Sequence, residues 1–303
     1  MRYIIKILFA FILFIDFAFI AGCGEGEVNI SDASYTPKIV INAYIYGGQK
    51  VQDIKISRNV PLNQGIDTST IILSDAIVSI TDISNSKKYL LTYNPSRFSY
   101  DYMGTDLIIE YGKSYKIDVQ AKFDGKDLHA ISTTTVPMGG LKADKQDLGI
   151  MAYRETDVLG NVEKINVSFR PSDNATATIL SIVSLNASSS SFIYNNYYYL
   201  ETDTQKIDNA LNRYAQNFTY QLDIAAGTQD FTIPIDWFTI WFYGRYRVII
   251  YAADKNFYDY FITVKNVMEL DGNFHEPRMH IDGDGIGVFG SAVTDTVYFI
   301  ITK

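Results

Sequence analysis

The feature that most constrains this chain is a period-two alternation of apolar and polar side chains beginning at Lys38. Ile39, Ile41, Ala43 and Ile45 share one face, and Asn42, Tyr44 and Tyr46 the other. Successive side chains of a strand point to opposite faces, so the pattern predicts a half-buried β-strand and does not suit a helix. It recurs at short intervals. Ile54 and Ile56 alternate with Lys55 and Ser57 before Pro61, Ala76, Val78 and Ile80 form a third strand, and Tyr89 to Tyr93 a fourth. Tyr115, Ile117, Val119 and Ala121 alternate with Lys116, Asp118 and Gln120. Asp124-Gly125 separates that run from Leu128–Thr135, and Asp-Gly is a hairpin signal because glycine supplies the positive φ. Short strands at this spacing predict an Ig-like or transthyretin-like β-sandwich over residues 38–138.

Gly139-Gly140 and the polar run to Gln146-Asp147 mark a boundary, and residues 142–303 read as a second β-rich domain with two short helices. Ile165, Val167 and Phe169 predict a strand, as do Thr176–Leu185, Phe218–Leu222 and Thr296–Ile301. Thr202 and Gln205 have capping-box spacing ahead of Ile207, Ala210, Leu211 and Tyr214 at helical intervals. Asp254 is placed to cap a second helix carrying Phe257, Phe261, Val264 and Met268 along one stripe. The expected fold class is mainly β.

Ahead of the strands, Arg2 and Lys6 precede an apolar run, Ile7–Ile20, interrupted by Asp16 and followed by Ala21-Gly22-Cys23. Crossing ~30 Å of hydrocarbon as a helix takes roughly 20 apolar residues, so the run reads as a signal peptide over residues 1–22. The small residues before Cys23, the one cysteine of the chain, have the form of a bacterial lipobox, making Cys23 the expected lipidation site. An ordinary signal peptide with an incidental cysteine is the alternative. Acyl chains bury methylenes at roughly 0.8 kcal/mol each, so a multiply acylated N-terminus stays on its membrane. Residues 23–37, rich in Gly, Glu, Ser and Asp, read as a flexible tether. Loss of residues 1–22 removes Arg2, Lys6 and Asp16 and takes the formal charge from −8 to −9. That balance argues against nucleic acid and against attraction to anionic lipid, which leaves tethering to the acyl chains. With Cys23 acylated no thiol remains for a disulfide, and the fold must stand on its core.

Motifs that carry chemistry are few. Gly285, Gly287 and Gly290 spell G-x-G-x-x-G, but a dinucleotide site needs that turn between a strand and a helix. Here the following residues read as strand, so the expected reading is a glycine-rich turn packed against neighbouring backbone. His275, Glu276 and His280 give H-E-x-x-x-H, one residue longer than the spacing that puts two histidines on one helical face, and Pro277 argues against a helix. With Asp282 and Asp284 they form a loose cluster of cation-binding donor types, for which a polar turn is the better reading. His129 stands alone on a strand, and no G-x-S-x-G elbow occurs. The expectation is therefore a protein without catalytic residues, metal or cofactor. The remaining leads are aromatic: Tyr197, Tyr198 and Tyr199 beside a serine loop, and Trp237 and Trp241 within Trp237–Tyr243. Such rings stack on sugars or anchor protein interfaces, or else fill a core.

The order of several motifs resembles the Bacteroidota domain-of-unknown-function family 4249. The carriers are Lys38–Ile45, Ile56-Ser57-Arg58 with Pro61, Ala76–Ile80, Gly112–Tyr115 and Thr133–Pro137. Phe274-His275-Glu276-Pro277 followed by Gly285–Gly290 is similar to its closing motif, while Leu141 to Asp230 matches little. Where that closing motif has an Asn-Ile-Glu-Gly-like run, this chain has Ile281-Asp282-Gly283-Asp284. The resemblance implies an outer-membrane lipoprotein encoded beside TonB-dependent transporters, with no established activity. Glu25 and Glu27, just after Cys23, hint at the cell surface by the same analogy. The expected function is a non-enzymatic accessory or binding partner of such a transporter. A structural or adhesive subunit of the fimbrial type and a hydrolase of surface glycans are the alternatives.

Overall fold

The computed structural model describes residues 35–61, 68–156, 159–194, 203–214, 218–222, 230–264 and 276–303. Cys23 and Tyr197 to Tyr199 lie outside them. In chain order the first half holds β1 (Ile39–Tyr46), β2 (Lys55–Arg58), α1 (Thr68–Ile71), β3 (Ile77–Asp82), β4 (Lys87–Leu90), β5 (Thr92–Asn94), β6 (Ser99–Asp101), β7 (Ser114–Phe123) and β8 (Lys126–Thr135). Next come β9 (Lys142–Ala143), β10 (Asp147–Ala152), β11 (Ile165–Arg170), β12 (Ala177–Ser184), α2 (Asp203–Tyr214) and β13 (Phe218–Leu222). The chain closes with β14 (Phe231–Ile235), β15 (Gly244–Ala253), α3 (Lys255–Thr263), β16 (Asp282–Gly283) and β17 (Gly285–Thr302). The mainly-β expectation holds, as do the Asp254-capped helix and a helix carrying Ile207, Ala210 and Leu211, while Thr202 and Met268 lie outside the described residues.

The alternation sets the strands as anticipated. In β1 and β7 the apolar positions are buried and the polar ones are not. The Asp124-Gly125 turn joins β7 to β8 with both residues at positive φ, 51° and 72°, the tight geometry whose twist matches the flanking strands. The predicted strand at Tyr89–Tyr93 is two short strands, β4 and β5, parted at Leu91.

The element that organises the rest is β17. Its first half pairs in parallel with β1, from Ile39 with Gly285 to Tyr46 with Ala292. Its second half pairs antiparallel with β15 and, on the edge that β1 has left, in parallel with β10. The resulting seven-stranded sheet runs β13-β12-β15-β17-β1-β2, with β10 beside β17. Beside it stand a five-stranded sheet, β16-β8-β7-β3-β4, a three-stranded sheet, β14-β11-β9, and a two-stranded one, β5-β6. One hydrophobic cluster draws on the three larger sheets, including Ile41 and Val297, Val78 and Val119, and Val167 and Phe169. Residues 38–138 and 142–303, expected as separate domains, thus exchange strands at two places, β1 with β17 and β8 with β16.

The glycine-rich stretch is a correction to expectation: it forms the start of β17, not a turn. The close-packing part of that expectation is met. A Cβ on Gly287, whose φ is +106°, would stand 2.1 Å from the Ile41 carbonyl oxygen of β1. Only glycine lets the two strands approach there.

Candidate functional site

Three groupings of polar or aromatic side chains stand out among the described residues. The first is a buried pin between helix and sheets. Asp254 ends β15's chain path and caps α3, its Oδ1 accepting from the Phe257 N–H at 3.0 Å and the Ser291 N–H at 2.9 Å. Thr134 of β8 brings Oγ1 to 2.6 Å from Asp254 Oδ2 and 2.8 Å from Ser291 Oγ. Asn256 donates to the Thr133 carbonyl at 2.8 Å and the Phe289 carbonyl at 3.0 Å. Burial raises the Asp254 carboxyl above its ordinary pKa, outweighing the Ser291, Thr134 and Phe257 donors that favour its charge. The grouping is sealed from solvent and satisfied internally, which is the chemistry of a structural joint.

The second grouping lines a shallow cleft between α3 and the approach to β16. Asp259, whose side chain is only 4% exposed, meets Lys255 Nζ at 2.5 Å, His280 Nε2 at 2.8 Å and Arg278 Nη1 at 3.9 Å. Glu276, Pro277 and Met279 complete the lining. Burial works against ionisation of Asp259, but hydrogen bonds from Lys255 and His280 outweigh it and hold the carboxyl below its usual range. Of the H-E-x-x-x-H stretch, His275 lies outside the described residues and His280 is turned onto Asp259. Glu276 is exposed. Among the described residues no three His, Cys, Asp or Glu side chains converge as a cation site. His129 stands on the exposed face of β8, 3.4 Å from Asp118.

The third grouping contains the two tryptophans. Trp237 and Trp241 are half-buried, neither fully core nor free surface. The Trp237 ring meets Tyr153 edge-on at 5.4 Å, and its Nε1–H donates to the Glu163 carbonyl at 2.6 Å. Trp241 packs with Phe192, Phe242 and α2, and its Nε1–H donates to the Phe238 carbonyl at 2.5 Å. Both indole donors are spent on backbone, so what these residues offer a ligand is ring surface and the shape of the chain they brace. Leu159 is 83% exposed, and Phe238, next to Trp237 in the chain, is 46% exposed. Phe238 falls within the Trp237–Tyr243 run singled out in the sequence, whereas Leu159 was missed, because an isolated Leu among polar residues carries no signal.

The family model described as Domain of unknown function (DUF4249) matches residues 25–296. The chain belongs to the DUF4249 family. No curated protein matches this DUF4249 chain. Among solved structures it is similar to a chain from a 1.5-MDa bacterial ice-binding adhesin studied for host cell surface retention, at 11% identity and a TM-score of 0.21. That match covers 88% of this chain and 65% of the adhesin chain. A two-domain fibronectin type III segment of chicken tenascin matches at 10% identity and a TM-score of 0.17, covering 71% of this chain and 89% of that one. Likenesses this low carry no argument about function.

Proposed function

We propose that this DUF4249 protein is a lipid-anchored outer-membrane protein that acts without catalysis, as an accessory binding partner of a TonB-dependent transporter. The observation that carries the reading is the aromatic-braced surface around Trp237. Leu159 and Phe238 are exposed apolar residues, and aromatic residues such as Trp237, Phe238 and Trp241 are enriched where proteins meet. The tether of residues 23–37 supports the same reading, since a membrane anchor at Cys23 holds that surface near integral partners. The family resemblance supplies the partner class.

The test is affinity purification of the tagged protein from mildly solubilised outer membranes. A stoichiometric transporter in the eluate, lost in a Leu159→Asp, Phe238→Ser variant that still melts normally, is the expected result. A monomer that elutes alone, or self-copies only, overturns it. Cys23→Ser is expected to move the protein from the membrane to the soluble fraction, and membrane retention by that variant would overturn the anchor.

A further inference from the structure

The face of the large sheet turned away from the core carries a pair of arginines that, among the described residues, no carboxylate meets within 4.0 Å. Arg245 and Arg247 alternate along β15 with the core residues Tyr246 and Val248, so both point away from the core. Their Cα atoms are two residues, about 7 Å, apart along the strand. The protein is acidic overall, and Arg58, Arg97, Arg170 and Arg278 each face an aspartate within 4.0 Å. Arg245 instead places its Cζ over the Tyr298 ring of β17, 4.6 Å from its centroid. Arg245 is exposed, and a guanidinium held against a ring keeps N–H donors available to a second partner. Arg247 stands directly across the ladder from Tyr298, and its Nε is buried with no hydrogen-bond partner. A buried donor without an acceptor is costly, and the half-buried Arg247 side chain as a whole keeps a charge that an anion can meet. The nearest carboxylate in register is Asp147 on β10, opposite Tyr298, and it is engaged by the Gly149 N–H at 2.8 Å.

The rest of the face is rich in hydroxyl groups. Along β17, Thr294 and Thr296 continue the row of Tyr298, and Tyr251 lies opposite Thr294. Gln49 donates to Thr294 Oγ1 at 3.1 Å from an exposed position. From Arg245 to Tyr251 this row spans about 20 Å. Apolar side chains on this face are few, Ile249 opposite Thr296 within the row and Ile150 and Ile300 paired at its border, while Val183 across from Arg247 is buried. We propose that Arg245 and Arg247 form a binding site for a carboxylated sugar, each guanidinium pairing with a carboxylate while the threonine and tyrosine hydroxyls receive the sugar hydroxyls. Two arginines at strand spacing suit a ligand whose acidic groups repeat, as in an oligomer of uronic acid.

The experiment is calorimetric titration of the full soluble domain, residues 24–303, with trigalacturonate, the neutral trisaccharide of the same linkage, and a triglutamate peptide. Binding of trigalacturonate, weakened at least tenfold by Arg245→Gln, Arg247→Gln and by loss of the carboxylates, is expected. Thermal melts of the variant control for folding, and Arg247→Lys, which keeps charge without the planar fork, is expected to restore only part of the affinity. No heat with trigalacturonate at millimolar concentration, or binding that the double variant leaves unchanged, overturns the proposal. Triglutamate binding as tightly as trigalacturonate overturns it as well, because the hydroxyl row then adds nothing. None of these outcomes depends on the transporter.

Discussion

Replacing Asp254 by alanine tests whether the joint between α3, β8 and β17 is what holds the two stretches of the chain in one piece. The carboxylate caps α3 through the Phe257 N–H, and loss of such a cap costs roughly 1 kcal/mol. The Ser291 N–H, buried at 2.9 Å from Oδ1, would lose its acceptor, at about 1–3 kcal/mol for an unsatisfied buried donor. Thr134 is less affected, because its hydroxyl can turn to Ser291 Oγ at 2.8 Å. Removing a buried charge returns part of this, since burial already disfavours the ionised carboxyl. The net expectation for Asp254→Ala is a loss of about 1–3 kcal/mol in urea unfolding monitored by tyrosine fluorescence. Asp254→Asn keeps Oδ1 as acceptor for both N–H groups and should lose no more than about 1 kcal/mol. The pH dependence separates them further. A carboxyl whose folded pKa is raised contributes stability that is complete below its unfolded value, near 3.9, and is lost as pH rises through the folded value. Asparagine abolishes that fall. An alanine variant within about 0.5 kcal/mol of the parent, or an asparagine variant as damaged as alanine, refutes the reasoning.

Three other outcomes follow from named contacts. Gly287→Ala forces a methyl into the Ile41 carbonyl at 2.1 Å, so at least about 3 kcal/mol should be lost, or folding itself, as read by circular dichroism of purified protein. Arg247→Met removes a buried donor that lacks an acceptor and should leave the melting temperature unchanged or raised, and a clear drop would show that the guanidinium is satisfied in solution. Asp101 is held below its ordinary pKa, its burial outweighed by the Asp53 N–H, Asn94 and Arg97. Its stabilisation is present above the unfolded value near 3.9 and lost as pH falls through the folded one, so Asp101→Asn should flatten the acid limb of the stability profile below about pH 4.

How much of this was legible beforehand depends on how local the cause is. The hairpin at Asp124-Gly125 was readable because two adjacent residues set its geometry. So was the α3 cap, where Asp254 and Phe257 are three residues apart. The glycines of β17 were readable as a site of close approach, but not as strand, because the partner that demands them, Ile41, lies 246 positions earlier. The tryptophans were visible as candidates, but their half-buried state depends on Tyr153 and Glu163, which nothing in the local pattern joins to them.

By itself the sequence determined the alternating strands such as β1, β7 and β8, their buried faces, the Asp124-Gly125 turn and the helix cap, because period-two burial, glycine at positive φ and capping are settled within a few residues. It also determined the expectation of a lipid anchor at Cys23, since that rests on a short N-terminal motif. The tertiary structure alone decided which strands are neighbours. A parallel partner such as β1 for β17 is chosen by shape and burial over the whole molecule, and any apolar strand satisfies the local rule equally well. That choice joins Thr134 to Asp254. The equally non-local pairing of β15 with β17 lays Arg245 over Tyr298, on a surface where no stretch of sequence announces a site.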